Sequence, residues 1–387
     1  MRSATRLTVL CTGMVAADAR HGGATWAVLQ YLLGFRRLGH TVYFVEPIAS
    51  SKVRPQGVPL ASSETARDFR RIVDAYGLGD AAALLLDGTT ETAGLPYAAL
   101  RRVAQRADVL VNISGLLTDP ALLGSIDRRL YLDLDPGFNQ AWHLSEGIDR
   151  HFDAHTHFAT VGLAVGRPDC RVPTCARTWV PTCPPVVLAE WPVARGRTGP
   201  AFTTVANWRS YGSVYCDDLF LGQKAHALRP LIDLPRQTRA RFQLALSIHP
   251  SEPDLAVLRS NGWTLVDPRR AAGTPARYQR FVSGSRAEFG LAKSGYIASR
   301  SGWFSDRSAC YLAAGRPVLA QDTGFSPVLP TGEGLLTFRT AAEAVAGVEA
   351  IDAAYLRHRE AARAIAERYL DSNRVLTRLL DHVGGTA

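Results

Sequence analysis

The segment Arg286–Phe325 limits what this chain can fold into more than any other stretch of its sequence. The apolar residues Ala287–Ala292 predict a buried strand, and the small and hydroxyl residues of Ser294–Phe304 predict a loop that a ligand can approach closely. Ser305 suits the N-cap of a helix, and Gly315 suits its C-terminal end. Strand, loop, helix and returning strand together predict one unit of a parallel α/β sheet.

The loop that leads into this helix predicts an anion site. Amide groups in the first helical turn and the helix dipole attract a phosphate group. Asp306 would lie in that turn, and Arg300 and Arg307 would add charge-assisted hydrogen bonds to an anion. The alternative is an ordinary strand-to-helix connection in which the serines only cap the helix.

Two runs in this segment resemble a known family. Leu312–Val318 (LAAGRPV) resembles the "EAxxxGxPV" segment of GT-B glycosyltransferases, and Ser301–Ser305 (SGWFS) resembles the "HxGWxS" element of nucleotide-sugar enzymes in that superfamily. The resemblance implies that the helix points at a donor diphosphate. The acidic residue that usually precedes the alanine-rich run is absent here. Cys310 or Ser308 lies near its place, and Asp306 is the nearest carboxylate.

The N-terminal part of the chain resembles the opening of many GT-B enzymes. A strand at Leu7–Cys11 precedes a loop at 13–23, a helix at Thr25–Leu38 and a strand at Thr41–Glu46. The resemblance implies that the backbone amides of Gly22-Gly23 face the donor diphosphate from the N-terminal domain. The first turn has no GxGxxG and the chain has no Walker A sequence, which argues against dinucleotide redox and P-loop chemistry.

A length of 387 residues predicts two domains rather than one core. Residues 172–200 are rich in proline and predict a linker, after which Phe202–Val205 starts a second series of strands and helices. We therefore expect an α/β chain of GT-B architecture, with two Rossmann-like αβα domains facing across a cleft. The predicted parts are an acceptor-side domain, a nucleotide-sugar-binding domain and a C-terminal helix crossing back to the N-domain, at 1–190, 191–370 and 371–387.

The charge of the chain invites a nucleic-acid interpretation, since its net charge is +9. The only lysines are Lys52, Lys224 and Lys293, and the arginines are scattered without a basic stripe. We therefore predict that nucleic acid is not a partner, and that a basic cleft for a nucleoside diphosphate accounts for the charge. The six cysteines lack CxxC spacing, and no apolar run reaches the ~20 residues of a membrane span. These patterns predict a cytoplasmic protein without a transmembrane segment.

The donor-binding residues are expected at the loops that follow the strands of the second domain. Lys293 would lie at the carboxyl end of a strand, where open α/β sheets bind ligands. By resemblance, Arg209 with Lys224 would contact the diphosphate, the region of Asp267 the nucleobase, and Asp322 the donor sugar. A surface arginine and a turn aspartate are the alternatives for Arg209 and Asp322. The expected donor-binding residues are Gly22, Gly23, Asn207, Trp208, Arg209, Asp267, Lys293, Ser294, Arg300, Ser301, Gly302, Trp303, Phe304, Ser305, Asp306, Arg307, Gln321 and Asp322.

A glycosyl transfer that inverts configuration needs a base within hydrogen-bond reach of the acceptor group. By resemblance, His21 or Asp18 would supply it from the loop after the first strand, and an exposed loop histidine is the alternative. Asp133-Leu134-Asp135 spells the DxD of metal-dependent enzymes of GT-A fold, but two Rossmann-like halves do not match that fold. Asp135 is instead expected in the cleft, as a base or acceptor-binding residue, or as a structural residue closing a turn.

The resemblance implies metal-independent transfer of a sugar from a nucleotide-diphosphate donor, with no cofactor beyond that co-substrate. The acceptor would be a small molecule or a carrier-bound molecule, such as a natural product or a glycan precursor. Retaining and inverting outcomes both stay open, because the GG loop is typical of the first group and the SGWFS element of the second. The alternatives are a nucleotide-sugar epimerase of the same fold and a non-catalytic GT-B-like binding protein.

Overall fold

Two separate parallel sheets form the framework of the protein. The computed structural model describes residues 6–17, 20–195 and 198–384. The first sheet has the strand order β4-β3-β2-β1-β5-β6-β7-β8, and only β4 runs antiparallel to its neighbour. Its strands are β1 (Thr8–Thr12), β2 (Thr41–Ile48), β3 (Ala82–Leu86), β4 (Thr92–Gly94), β5 (Val109–Ile113), β6 (Arg129–Asp133), β7 (His157–Thr160) and β8 (Val180–Pro181).

The second sheet is fully parallel, with the order β13-β12-β9-β14-β15-β16. A small antiparallel hairpin, β10–β11, branches from the chain between its first two strands. The bounds are β9 (Ala201–Asn207), β10 (Val214–Cys216), β11 (Leu219–Leu221), β12 (Arg241–Ser247), β13 (Thr264–Val266), β14 (Ala287–Gly290), β15 (Val318–Gln321) and β16 (Leu335–Phe338).

Helices connect the strands and cover the sheets. In the first half they are α1 (Gly22–Arg37), α2 (Glu64–Ala75), α3 (Tyr97–Ala104), α4 (Pro120–Leu123) and α5 (Phe138–Ser145). In the second half they are α6 (Lys224–Leu228), α7 (Asp254–Ser260), α8 (Pro268–Ala272), α9 (Pro275–Gly284), α10 (Ser294–Ala298), α11 (Asp306–Ala313), α12 (Ala341–Ala353), α13 (Tyr355–Ile365) and α14 (Ser372–His382). None of the helices in the described ranges is long and apolar enough to cross a bilayer.

Alternate residues of a central strand belong to different hydrophobic clusters. Val9 and Cys11 of β1 pack with Trp26 and Leu29 of α1, whereas Leu10 packs with the cluster that includes α3 and α4. Successive side chains of a strand point to opposite faces, so β1 contributes to both. The first sheet is therefore a middle layer between helices.

The proline-rich segment between the sheets differs in part from the predicted linker. Val180–Pro181 within it forms β8, the outermost strand of the first sheet. Proline is tolerated there because an edge strand leaves N–H positions that face no partner. The predicted boundary at residue 190 lies between β8 and β9, the last and first strands of the two sheets.

The C-terminal helix returns to the first sheet. The amide of Ser372 donates to the carbonyl of Val186 at 2.9 Å, and α14 then packs along α1. A Cβ on Gly34 of α1 would lie 2.4 Å from Leu376 Cδ1, so the helices are in close contact. The chain thus ends on the layer that also presents the N-terminus of α1 to the cleft.

The segment around α11 follows the predicted pattern with two differences. Ser305 caps α11 by accepting a hydrogen bond from the Arg307 amide at 3.2 Å, as its position predicted. Within the expected loop 294–304, however, Ser294–Ala298 forms the short helix α10. The expected loop 13–23 is also shorter, because α1 begins at Gly22 rather than Thr25.

Gly22 brings the two halves of the molecule into direct contact. A Cβ built on it would lie 2.3 Å from the Thr274 carbonyl oxygen and 2.6 Å from the Ala272 carbonyl oxygen. Both carbonyls belong to the α8–α9 connection, so a side chain at Gly22 would have to displace backbone. The absence of a side chain at this position therefore sets how closely α1 approaches α9.

We expect Gly22→Ala to lower the free energy of unfolding by about 1–3 kcal/mol, the usual cost of overpacking. Differential scanning calorimetry would show this as a lower melting temperature. Gly212→Ala is the matched control, because a Cβ there meets no atom within 4 Å. Equal melting of the Gly22 variant and the parent would contradict the close contact.

Candidate active site

A cavity of about 350 Å³ lies between the carboxyl ends of the two sheets. This is where open α/β folds bind ligands. The first half lines it with Arg20, His21, Gly22, Gly23, Ala24, Ala27 and Leu134. The second half lines it with Val205, Ala206, Asn207, Lys224, Ser247, Pro268, Arg269, Ala272, Tyr278, Asp306 and Arg307. We refer to it as the donor cavity.

The N-terminus of α1 opens into the donor cavity. His21 is its N-cap residue, and the helix has no capping hydrogen bond from the side chain of that residue. The first turn is Gly22-Gly23-Ala24 and contains no acidic residue. Its amides therefore keep their donor capacity and the positive end of the dipole faces the cavity, which favours an anionic ligand.

Lys224 is the cation of the donor cavity that is best placed for a ligand. It starts α6, its side chain is buried, and no ion pair engages it within the described ranges. The pKa of Lys224 is lowered to about 8, chiefly by burial and also by the charge of the nearby Arg307, while the charges of Asp135 and Asp306 oppose the shift. An anion in the cavity would offset both unfavourable effects, so Lys224 is a strong candidate for binding a diphosphate.

Arg307 reaches the donor cavity but is held by the protein itself. Its Nε donates to Glu288 Oε1 at 2.5 Å, and its terminal nitrogens donate to the carbonyls of Val205 and Leu291 at 3.1 and 3.4 Å. Glu288 is completely buried, and its Oε2 has no hydrogen-bond partner in the described structure. Arg307 thus neutralises a buried carboxylate, which restricts how much of its guanidinium is available to a ligand.

Asp306 is the carboxylate of the donor cavity. Desolvation raises its pKa, opposed chiefly by the charge of Arg307. It also lines a small adjoining cavity with Tyr31, whose buried hydroxyl lacks a hydrogen-bond partner among the described atoms. A carboxylate beside a diphosphate site is suited to accepting hydrogen bonds from sugar hydroxyls.

Asp135 and Lys293 do not line the donor cavity but join the two halves beside it. Lys293 Nζ donates to both carboxylate oxygens of Asp135, at 2.9 and 3.0 Å. The hydroxyls of Tyr211 and Tyr296 donate to the same carboxylate. Burial lowers the pKa of Lys293, and the charge of Asp135 counteracts this. The pair therefore forms an interdomain ion pair, a different role from the predicted base and the predicted donor ligand.

The DxD motif proves to be structural at its first position. Asp133 is fully buried and accepts hydrogen bonds from Asn139, Gln140, Thr160 and the amide of Asp135. Desolvation raises its pKa. Across the ranges that the structure describes, no group of three or more His, Cys, Asp or Glu side chains is placed to hold a metal ion.

The SGW run binds the other domain through its backbone. Leu163 and Ala164 of the first half donate to the carbonyls of Gly302 and Ser301, both at 3.1 Å. A Cβ on Gly302 would lie 2.3 Å from the Ala164 nitrogen, and its φ is +71°. Trp303 stacks on Tyr296 with ring centroids 4.5 Å apart. These residues hold the domains together, and the resemblance alone gave no sign of that.

The other predicted donor residues of the second half are divided. Asn207 lines the donor cavity, whereas Trp208 is buried and donates from its indole to Asp254 at 3.1 Å. Arg209 pairs with Glu252 at 3.0 Å outside the cavity. Asp267 caps α8 by accepting from the amide of Arg269 at 2.8 Å. The neighbours Pro268 and Arg269 line the cavity instead.

Gln321, Asp322 and Arg300 line a separate cavity of about 370 Å³. Asp322 pairs with Arg339 at 2.7 Å, and Arg300 pairs with Asp169 at 2.8 Å. Ser294 starts α10 with a buried hydroxyl, and Phe304 is buried against Phe325. The structure therefore separates these five predicted residues from the donor cavity. Asp18 falls outside the described residues.

Several residues of the donor cavity were not predicted. Ser247 ends β12, and Leu134 directly follows β6, so the rule that ligands lie at strand ends would have found both. Ala272 and Tyr278 carry no such signal. They face the cavity because α9 packs against α1 and α8 packs against α9, which are tertiary contacts that the local sequence does not encode.

Part of the chain is similar to a known protein family. Residues 226–380 match a family model described as "Glycosyl transferase-like". The matched segment contains Ser247, Arg269, Asp306 and Arg307 of the donor cavity. A search of curated proteins with the whole sequence gave no match.

Solved glycosyltransferase structures share the fold over nearly the full chain. One is an alpha-glucosyltransferase in complex with UDP-glucose and DNA containing an abasic site, with a TM-score of 0.59, 12% identity, and coverage of 97% of this chain and 99% of that one. HepE from Anabaena, in complex with UDP and glucose, has a TM-score of 0.55, 10% identity and coverage of 98% and 100%. AviGT4, involved in avilamycin A biosynthesis, has a TM-score of 0.55, 13% identity and coverage of 98% and 97%.

The fold and the family match confirm the predicted GT-B architecture and the prediction that the chain is a glycosyltransferase. The prediction that nucleic acid is not a partner is wrong. Its basis was the scatter of the arginines, yet alpha-glucosyltransferases of the same fold are bound to DNA in four of the matched structures.

We expect the affinity for a nucleoside diphosphate to fall above pH 8. Lys224 is charged below its pKa of about 8 and an anion raises that pKa, so binding is strongest below pH 8 and weakens as the free lysine deprotonates. A lost charge-assisted contact costs about 1.5–3 kcal/mol, or roughly 10–150-fold in affinity. Calorimetric titration at pH 7 to 10 measures the change.

Lys224→Met is the control for this pH dependence, and it should bind weakly at every pH. Lys224→Arg should keep its charge and give a nearly flat profile over the same range. A slope in Lys224→Met equal to that of the parent would assign the titration to another group.

We expect Arg307→Ala to destabilise the fold by about 3–5 kcal/mol, because it leaves Glu288 charged and buried without its cation. Arg300→Ala should cost no more than about 1 kcal/mol, since its pair with Asp169 is half exposed. Urea unfolding distinguishes the two. Adding Glu288→Gln to Arg307→Ala should restore part of the loss, and an Arg307→Ala variant as stable as the parent would contradict the buried pair.

Proposed function

We propose that this chain transfers a sugar from a nucleoside-diphosphate sugar to an acceptor without a bound metal ion. The observation that carries the proposal is that Lys224 and the N-terminus of α1 meet in one cavity. One comes from the second domain and the other from the first, so the cavity closes around an anion from both sides. The glycosyl transferase-like match and the UDP-bound structures of the same fold support a nucleotide sugar as that anion.

In the proposed step, a nucleophilic atom of the acceptor forms a bond to the anomeric carbon of the donor sugar. The bond between that carbon and the diphosphate oxygen breaks, and its electron pair remains on the leaving nucleoside diphosphate. Lys224 and the α1 amides stabilise the charge that develops on this leaving group. These groups are positioned before the reaction, so little reorganisation is needed at the transition state.

His21 is the proposed base for the acceptor proton in an inverting transfer. It lines the donor cavity at the start of α1, directly before the amides that would hold the diphosphate. Asp306 is proposed to accept hydrogen bonds from the donor sugar, in place of the acidic residue that related sequences carry before the alanine-rich run. Its half-buried carboxylate faces both the donor cavity and the small cavity beside Tyr31.

The same charges support the proposed metal independence. A magnesium ion would serve to neutralise the diphosphate and its leaving group. Here Lys224 supplies a point charge and α1 supplies oriented amide dipoles at the donor cavity. These are protein groups that perform the electrostatic task which a metal ion performs elsewhere.

We expect one of UDP, dTDP, GDP and ADP to raise the melting temperature equally in EDTA and in magnesium. A ligand at about 100 times its dissociation constant adds about 2.7 kcal/mol of stability, which a thermal-shift assay detects readily. Lys224→Met should lose most of this shift. Arg209→Met is the matched control, because Arg209 pairs with Glu252 outside the cavity.

A stabilising effect that disappears in EDTA and returns with magnesium would overturn the metal-independent proposal. The epimerase alternative is tested by incubating the enzyme with the donor alone. A change in the sugar while it remains attached to the nucleotide would favour the epimerase. Intact donor, with turnover only when an acceptor is added, would favour the transferase.

A further inference from the structure

A second and larger cavity adjoins the donor cavity. Its volume is about 740 Å³, and it lies between α2 of the first half and the α8–α9 region of the second. Val15, Ile72, Tyr76 and Pro275 contribute apolar surface to its wall. This size and a partly apolar lining are typical of sites for small molecules. We refer to it as the arginine cavity.

Positive side chains outnumber negative ones in the lining of this cavity. Five arginines line it, against two carboxylates, which leaves three positive charges in excess. The carboxylates are Glu64 and Asp68. The arginines come from a loop, from α2, from α8 and from α9, and they are Arg20, Arg67, Arg71, Arg269 and Arg277.

The carboxylates engage only two of these arginines, and weakly. Arg67 lies 3.9 Å from Glu64 and Arg71 lies 3.2 Å from Asp68, with both arginine side chains well exposed. Exposed pairs of this kind contribute about 0–1 kcal/mol. The other three arginines form no ion pair with any residue of the described ranges; they are Arg20, Arg269 and Arg277. Like charges that face one cavity repel each other, and an anionic ligand would relieve that repulsion.

The arginine cavity also lies next to the donor cavity, where a bound acceptor would be close to the donor. Arg20 and Arg269 line both, and His21 follows Arg20 in the donor cavity. Gly22 lines the donor cavity, and Thr274, whose carbonyl it approaches, lines the arginine cavity, so the two cavities meet at this contact. Arg20, which lines the arginine cavity, is therefore the immediate neighbour in sequence of His21, the proposed base.

We infer that the arginine cavity is the acceptor site and that it binds an acceptor carrying a phosphate group. Its role as acceptor site rests on the proposed function, whereas its phosphate chemistry rests on the arginines. A guanidinium donates two parallel hydrogen bonds to a phosphate, which suits an arginine such as Arg277 that has no carboxylate partner in the described ranges. The phosphate is supplied either by a phosphate monoester of a small molecule or by the phosphodiester backbone of a nucleic acid.

Calorimetric titration tests this inference with the donor cavity filled. The full chain is saturated with the nucleoside diphosphate that stabilises it most, and is then titrated with inorganic phosphate, glucose 6-phosphate, glucose and a single-stranded eight-nucleotide DNA. We expect at least one phosphate-bearing probe to bind at least tenfold more tightly than glucose. Preference for glucose 6-phosphate identifies a small acceptor as the source of the phosphate, and preference for the DNA identifies a nucleic acid.

Two variants locate the binding. Arg277→Gln should lower the affinity for the bound probe at least fivefold. Arg280→Gln on the same helix should change that affinity by less than twofold, because Arg280 is exposed and does not line the arginine cavity. A second comparison on α2 pairs Arg67→Gln with Arg70→Gln, whose guanidinium donates to the Ala61 carbonyl. Circular dichroism confirms that each variant is folded.

The inference is overturned if no phosphate probe binds more tightly than glucose, or if the Arg280 control loses as much affinity as Arg277→Gln. The proposed function fails separately. In one case no nucleoside diphosphate binds, but a phosphate probe binds and loses affinity in Arg277→Gln. The donor assignment is then wrong, and the phosphate site remains. If the nucleoside diphosphate binds and the probes do not, the donor cavity stands and the acceptor inference falls.

Discussion

The ion pair of Lys293 with Asp135 fixes the cleft on which the rest of the molecule depends. Asp135 follows a strand of the first sheet and Lys293 follows a strand of the second, and both side chains are largely removed from water. The ammonium also lies 3.9 Å from the ring centroid of Tyr211 and 4.6 Å from that of Phe138. Buried charges are costly unless they are paired, so separating the domains here would expose a cation and an anion that the closed form keeps satisfied. The N-terminus of α1 and Lys224 line the donor cavity from the two domains that this ion pair joins.

The architecture could be predicted from the sequence because strands, helices and caps are signalled by residues that are neighbours in the chain. Ser305 caps α11 as expected, and strands such as Val109–Ile113 begin and end where their apolar runs do. The roles of charged side chains were less predictable. Lys293 occupies the expected position at a strand end, but its partner is 158 residues away in the chain. The packing of the two domains decides whether such a lysine faces a ligand or a carboxylate. The residues next to it in sequence do not predict which partner it has.

Two glycines also show that the sequence predicts a close contact but not its partner. Gly22 and Gly302 were expected where a backbone approaches something closely, and both do so. The nearest atoms belong to the opposite domain, since Gly22 meets the Thr274 carbonyl and Gly302 meets the Ala164 amide. Glycine permits close approach without specifying the partner. In a two-domain enzyme, the loops that face a ligand also face the other domain, so one glycine serves both the closure of the cleft and the shape of the donor cavity.

The error over nucleic acid has a physical origin in the same closure. A search for basic runs suits a charged helix or a disordered tail, where neighbouring residues in sequence share a surface. The arginines at 20, 67, 71, 269 and 277 come from three distant stretches of the sequence and from four structural elements. They converge only because α2 and α9 face one another across the interdomain contact. Scattered arginines are therefore no argument against a concentrated positive potential in a fold whose ligand sites lie between domains, since walls of low dielectric on both sides strengthen the field that the charges share.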